Sequence, residues 1–315
     1  MKVMVVGDVM IDAYYWGKVN RISPEAPVPI AQISSHENRL GGAANVALNV
    51  MALGAQPIIC AVIGKDEKGA LFNELLNKRG FSSAGVVQSQ LRQTTVKTRI
   101  IADGQHLLRV DEEDASDLSA SDEENFIDSC KQIMDSEEVD VIIFEDYDKG
   151  VLTPNVISEL IAIAKEKRIP TAVDPKKDHF FAYEQVDLFK PNLKELREGL
   201  NIEFNAANED ELLDAVQQLE TKLKNAQSLI TLSELGVFIK SGNEHHHLPA
   251  HPREIADVSG AGDTVISVAS MLLAAGADAK ALAAIANLSG GLVCERIGVV
   301  PIDKQKLLQE AEKLL

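Results

Sequence analysis

The residues best suited to chemistry stand near the C-terminal end, in Asp257-Val258-Ser259-Gly260-Ala261-Gly262-Asp263-Thr264. A polar, loop-like run over 250–254 precedes this stretch, and an apolar segment from Val265 to Ala275, long enough for three helical turns, follows it. Gly260, Ala261 and Gly262 therefore lie where a loop becomes a helix. The first N–H groups of a helix have no partner inside it, and the helix dipole adds partial positive charge there. Small residues at that point let a phosphate reach the bare N–H groups. Asp263, in the same turn, would repel a resting phosphate. Its presence points instead to proton removal from a group that attacks the phosphate. A tight turn packing a helix onto a sheet explains Gly-Ala-Gly as well, and these residues alone leave both readings open. The G-x-x-x-x-G-K-[ST] pattern is absent from the chain, and Val265 occupies the last glycine position of G-x-G-x-x-G. Neither a P-loop nor a dinucleotide fingerprint is supported.

Other polar residues recur at element ends. Asp8 and Asp12 follow an apolar strand over 2–7, at the end where open α/β sheets bind ligands; each also reads as a turn or capping aspartate. Gly41-Gly42-Ala43-Ala44-Asn45 opens an apolar helix running to about Leu53. Paired glycines permit close backbone approach to a ligand, and Asn45 can donate to and accept from sugar hydroxyls; a tight loop with a capping Asn is the alternative. Asn192 and Glu195 are one helical turn apart, a spacing that suits either Mg²⁺ with its waters or an ordinary helix start. Lys97, Arg99 and Arg109 lie on two short alternating strands joined by Ala102-Asp103-Gly104, a hairpin signal. His245, His246 and His247 alternate in direction on a strand, so they cannot all ligate one metal.

The elements that must position these residues alternate. Strands are expected over 57–63, 139–144, 170–173, 228–232 and 237–240. Helices are expected over 66–78, 153–167, 209–223, 278–294 and 304–314. Such alternation, without a repeat or long linker, implies a mainly parallel sheet with helices on both faces. Residues 84–111 break the rhythm and read as a small separate sheet, joined by residues 27–33. The prolines of Arg21-Ile22-Ser23-Pro24-Glu25-Ala26-Pro27-Val28-Pro29 exclude a helix and point to an extended edge. At 315 residues and 45% hydrophobic content the chain has material for a full core, in one large domain or two. With 31 basic and 48 acidic residues its formal net charge is −17, which argues against nucleic acid or an anionic membrane as partner. Cys60, Cys130 and Cys294 make neither a zinc pattern nor a disulfide framework, so a cytoplasmic location is expected. The N-terminus is too short in its apolar run for a signal peptide, and no apolar run reaches membrane-spanning length.

Taken together, Gly41 to Asn45, Asn192-x-x-Glu195 and Asp257 to Asp263 resemble the signatures of the ribokinase-type, or phosphofructokinase B, carbohydrate kinases. The resemblance covers essentially the whole chain. Within that family the chain is similar to the bacterial D-glycero-β-D-manno-heptose 7-phosphate kinases. The segments that carry this are 7–12, 21–29, Asp146-Tyr147-Asp148-Lys149-Gly150, Asp174-Pro175-Lys176 and 257–264. Many family members have Thr where Val258 stands; the heptose kinases resemble this chain at that point.

The resemblance implies an α/β, ribokinase-like three-layer sandwich: one kinase domain over 1–315, with a small β-sheet lid from about 12–40 and 84–111. It implies ATP-dependent phosphorylation of the anomeric hydroxyl of the heptose 7-phosphate, within activated-heptose supply for surface glycan. Asp263 would be the base, and the N–H groups of Gly260, Ala261 and Gly262 the anion hole. Asn192 and Glu195 would hold Mg²⁺, largely through water. Thr231, Ser233 and Gly236 would form the nucleotide turn, with Asn287 on the adenine side. Asp8, Asp12, Gly41, Gly42 and Asn45 would hold sugar hydroxyls. Lys97, Arg99 and Arg109, with Arg21 or Lys149, would grip the substrate phosphate. Asp257 matches a monovalent-cation site, for K⁺, and relatives often form homodimers through the lid. Some relatives carry a second, nucleotidyltransferase domain; its H-x-G-H motif is absent here, so only the first reaction is expected. A kinase for ribose, fructose or fructose phosphate, and a catalytically silent nucleotide-binding protein, are the alternatives.

Overall fold

The structure is a computed structural model that describes residues 1–296 and 298–313. In chain order the elements begin with β1 (Lys2–Gly7), β2 (Val9–Ile22), β3 (Pro29–Gly42), α1 (Ala43–Ala52), β4 (Gln56–Gly64), α2 (Glu67–Lys78) and β5 (Gly85–Ser89). There follow β6 (Val96–Ala102), β7 (Gln105–Glu112), α3 (Ala120–Ser136), β8 (Val141–Glu145), α4 (Pro154–Lys167), β9 (Thr171–Asp174) and β10 (Leu188–Phe189). The remainder comprises α5 (Leu193–Leu200), α6 (Glu209–Leu223), β11 (Gln227–Thr231), β12 (Val237–Ser241), β13 (Glu244–Leu248), α7 (Ala261–Ala274), α8 (Ala279–Cys294) and α9 (Lys304–Ala311). Leu314, the expected end of the last helix, lies outside the described residues.

Among the described residues, nine strands form one sheet in the order β13-β12-β11-β10-β9-β8-β1-β4-β5. From β11 to β5 every pair is parallel, and β12 and β13 add an antiparallel edge. The central strands are apolar on both faces, and the alternation of side chains assigns them to two cores. Val3 and Val5 face one side with Ile59, Ala61 and Ile143, under α1, α2, α7, α8 and α9. Met4 and Val6 face the other with Cys60, Ile142 and Phe144, under α3, α4, α5 and α6. This is the three-layer α/β sandwich expected from the sequence, and its strands end on a common edge. Gly7, Glu145, Asp174 and Phe189 terminate β1, β8, β9 and β10 there.

A second, four-stranded sheet has the order β3-β2-β6-β7. Two expectations about it change. Gly85–Ser89 pairs in parallel with β4 and so belongs to the large sheet, because Val86 and Val87 find cores to fill there. The small sheet therefore takes only Val96–Glu112 from the later segment. The proline-rich stretch is not an extended edge but the tip of a long hairpin. Ser23 N–H donates to the Val28 carbonyl at 2.9 Å, and β2 and β3 each run 14 residues. Asp103 and Gly104, both at positive φ, turn β6 into β7 as their sequence predicts.

Candidate functional site

Gly260 is the N-cap of α7 in the left-handed region, at φ 79°, so a side chain there would be strained. Ala261, Gly262 and Asp263 make the first turn, with no side chain capping the helix. The Ala261 N–H donates to the Val258 carbonyl at 3.3 Å, so it is not bare as expected. A Cβ at Gly262 would sit 3.6 Å from Asp174 Oδ2 and 3.9 Å from Lys190 Nζ. The small turn thus faces charged groups on the sheet edge.

Asp263 is buried, at 7% exposure. Asn45 Nδ2 donates to its Oδ2 at 2.6 Å, and the Tyr147 hydroxyl donates to its Oδ1 at 3.0 Å. Burial pushes its pKa up, and Asp174 adds to this; the bonds from Asn45 and Tyr147 and the charge of Lys190 oppose it. Asn45 lies in the first turn of α1, which packs along α7, and its Oδ1 is buried with no partner among the described residues. Gly41 and Gly42 end β3 beside it; a Cβ on Gly41 would meet Asp12 Oδ2 at 2.3 Å.

Glu145, Asp174 and Asp263 each offer an oxygen within 4.8 Å of the others. Both Glu145 oxygens are buried without a partner among the described residues. Burial, then Asp174 and Asp263, hold its pKa well above the usual carboxylate range. Lys190 pairs with Asp174 at 2.8 Å, and Lys176 reaches Glu195 at 2.8 Å and Asp174 at 3.9 Å. Burial would lower the Lys176 pKa, but Asp174 and Glu195 together raise it. Sequence reasoning assigned no role to Tyr147, Glu145, Asp174, Lys176 or Lys190. The signal was present: they follow adjacent parallel strands at the same end that singled out Asp8.

The expected Asn192–Glu195 metal pair is a capping box. Asn192 Oδ1 accepts from Glu195 N–H at 2.9 Å, and Glu195 Oε2 accepts from Asn192 N–H at 2.8 Å. Glu195 Oε1 is taken by Lys176, whereas Glu145 and Asp174 offer oxygens close to Asp263 in the first turn of α7.

Asp8 also differs from expectation. Its carboxylate accepts from the N–H groups of Tyr147, Lys149 and Val151 at 2.8, 3.1 and 3.3 Å. It anchors the loop after β8 rather than offering free oxygens to a sugar. Asp12 is buried, at 6% exposure, and pairs with Arg99 Nη1 at 2.5 Å across β2 and β6. Lys97 pairs with Asp111 at 3.1 Å and Glu113 at 2.8 Å, and Lys149 joins Glu113 at 3.0 Å. Lys97, Arg99 and Lys149 are therefore held as a group by acids. Arg109 pairs with Asp111 but is 59% exposed. Arg21 stands exposed near the hairpin tip, nine residues beyond Asp12 along β2; at about 3.3 Å per residue that is roughly 30 Å of strand. It is not brought to the site within one chain.

Thr231 ends β11 and bridges Asn192, and Ser233 and Gly236 shape the following turn at φ 54° and 89°. Asn287, on α8, donates to the Pro249 carbonyl at 2.8 Å, tying the loop before Asp257 to that helix. Asp257 Oδ1 accepts from Ser259 N–H and hydroxyl at 3.0 and 2.8 Å, and its Oδ2 accepts from Gly298 N–H at 2.9 Å. The three histidines lie half-buried on β13 in a hairpin with β12.

The chain is 38% identical over 311 residues to the bifunctional protein HldE of Citrifermentans bemidjiense, covering 98% of this chain and 63% of that protein. It thus spans about 63% of the relative's length. Its structure is similar to phosphofructokinase-2 from Escherichia coli in complex with potassium, with TM-score 0.82, 17% identity and coverage of 100% and 98% of the two chains. It is also similar to Arabidopsis thaliana ribokinase complexed with ribose and ATP, with TM-score 0.75, 18% identity and 98% of each chain covered. The "pfkB family carbohydrate kinase" profile matches residues 1–305, and the chain belongs to that family: it is a carbohydrate kinase, a phosphotransferase that acts on a sugar hydroxyl.

Proposed function

We propose that the chain transfers the γ-phosphoryl group of ATP to the anomeric hydroxyl of D-glycero-β-D-manno-heptose 7-phosphate, giving the 1,7-bisphosphate. The observation that carries this reading is the juxtaposition around Asp263: a buried carboxylate at a glycine-rich helix start, with carboxylates and lysines on the sheet edge beside it. Asp263 accepts the proton of the sugar hydroxyl. The sugar oxygen then bonds to the γ-phosphorus, and the bond from that phosphorus to the β,γ-bridging oxygen breaks, its electron pair leaving with ADP. The N–H groups of Gly260 and Gly262 face the moving phosphoryl oxygens. Each well-aimed donor is worth roughly 2.7–4 kcal/mol of transition-state stabilisation. Thr231, Ser233, Gly236 and Asn287 line the nucleotide side.

The orphaned Glu145 carboxylate beside Asp174 fits a hard divalent cation, so these two residues would hold Mg²⁺. When bound, the ion neutralises charge on the ATP phosphates. Lys190 and Lys176 supply fixed positive charge on the same side. Asp257 is a backbone-bound carboxylate that would shape a K⁺ site close to the turn.

Asp12, Asn45 and the Gly41-Gly42 approach bind the sugar hydroxyls. Lys97, Arg99 and Lys149 bind the 7-phosphate, which takes the place of Asp111 and Glu113 at Lys97 and of Glu113 at Lys149, while Arg99 stays paired with Asp12. The small sheet acts as a lid and as a homodimer face. Ile22 and Val28 at the hairpin tip, and Leu108 and Val110 on β7, are 60%, 51%, 56% and 42% exposed, apolar surface that a second copy would cover. An ATP-consumption assay over ribose, fructose, fructose 6-phosphate and heptose 7-phosphate tests the reading. Heptose 7-phosphate should have the highest kcat/KM; preference for ribose or fructose phosphate would overturn the substrate, and no turnover on any would overturn the kinase role of this chain.

A further inference from the structure

The loop after β8 is more firmly tied down than a surface connection requires. Tyr147 and its neighbours Lys149 and Val151 give their N–H groups to the buried Asp8. Asp146, itself buried, accepts from the Asp148 N–H at 2.9 Å and from the Tyr183 hydroxyl at 2.7 Å. Asp148 is held at φ 51°, and the Gly150 carbonyl accepts from the Leu118 N–H at 3.0 Å. These bonds fix the backbone on both sides of one side chain, Tyr147.

That side chain spans the site. Its ring lies under the Lys176 ammonium, 5.4 Å from the ring centroid, and Lys176 is anchored by Glu195. Its hydroxyl ends on Asp263 Oδ1. The other oxygen of the same carboxylate is held by Asn45. A carboxylate gripped by one donor still rotates about its Cβ–Cγ bond, whereas a donor on each oxygen fixes its plane. Each oxygen keeps a second lone pair for a substrate hydroxyl.

We propose that Tyr147 is a positioning residue for the transfer: its hydroxyl fixes the plane of the Asp263 carboxylate so that a lone pair is aimed at the attacking sugar hydroxyl. The inference rests on Asp263 being the base. Tyr147 takes no proton in the reaction and makes no bond to phosphorus. Loss of its hydroxyl leaves substrate affinity alone and lowers the rate, because misplaced reacting groups cost rate steeply.

Steady-state kinetics of the full-length Tyr147→Phe protein test this. Phe keeps the ring under Lys176, so the thermal unfolding midpoint should match wild type. The expected result is a kcat lowered by about ten- to a hundredfold, with KM for ATP and for the sugar substrate each within about twofold of wild type. Sugar binding measured by calorimetry in the inactive Asp263→Asn background should likewise be unmoved by adding Tyr147→Phe. A kcat within about twofold of wild type overturns the inference, as does a sugar KM that rises while kcat is kept, since that marks a substrate ligand. Retained turnover in Asp263→Asn removes the base itself, whereas lost turnover there beside a wild-type kcat in Tyr147→Phe removes only the role of Tyr147.

Discussion

Asp263 is the central group of the candidate site at the residue scale. It is buried among acids, which favours the protonated form, and two neutral donors and a nearby ammonium hold it toward the ionised form. Asp263→Asn keeps the shape and both neighbours but cannot take a proton. Its kcat should fall by about a hundredfold or more, while ATP binding measured by calorimetry stays within a few-fold of wild type. Lys97 is the second single-residue test. It sits between Asp111 and Glu113, and its ammonium is available for exchange onto a substrate phosphate. Lys97→Met should raise KM for heptose 7-phosphate by tenfold or more, about 1.4 kcal/mol, and leave KM for ATP little changed. An unchanged sugar-phosphate KM in that variant would remove the phosphate assignment. Asp8, by contrast, shows how a polar residue at a strand end can serve the fold: three N–H groups occupy its carboxylate.

At the scale of elements, the ends of β1, β8, β9 and β10 and the start of α7 make the site. Buried carboxylates tie the loops that leave these strand ends together. Asp146 is the clearest of these ties. Burial, reinforced by Asp8, raises its pKa from 3.8 to about 7. A carboxyl that holds its proton more tightly when folded stabilises the fold fully below its unfolded pKa. That contribution is lost as pH rises through the folded value. Wild-type stability should therefore decline between about pH 4 and pH 7 more steeply than that of Asp146→Asn, as read from urea unfolding midpoints across that range. Parallel slopes for the two proteins would count against this proton. The Asn192–Glu195 spacing teaches a related lesson. A one-turn separation of Asn and Glu serves a capping box and a metal pair equally well, and only the position of Lys176 shows which atoms are taken.

For the whole molecule, the two sheets divide the labour. Helix α7 and the edge of the nine-stranded sheet carry Asp263, the Gly260-Ala261-Gly262 turn, Glu145 and Asp174; the four-stranded sheet carries Asp12, Lys97 and Arg99. Its exposed apolar residues predict association. Leu108→Glu combined with Ile22→Glu should convert the protein to a monomer in light scattering, with the wild type measured as a dimer. A wild-type monomer at micromolar concentration would remove the lid as an interface. Among the described residues no helix is long and apolar enough to cross a membrane. Cys60, Cys130 and Cys294 are buried and free.

Local pattern was enough to determine the alternating strands and helices, the Asp103-Gly104 turn, the glycine-rich start of α7 and the presence of an acid in it. Each of these depends on residues within one or two turns of each other, and hydrophobic period and glycine placement report on that range. The family signatures pointed further to Asp12, Asn45 and Asp263 as candidate site residues. Tertiary structure alone decided which polar groups meet. Asn45 and Asp263 are 218 residues apart, and Tyr147 and Asp263 are 116 apart. Nothing in the local sequence of either partner distinguishes a carboxylate aimed at substrate from one, like Asp8, that binds backbone. The same limit hid the Glu145–Asp174 pair and placed β5 in the wrong sheet. A strand's partner is chosen by the core it can fill, and that core is assembled from distant parts of the chain.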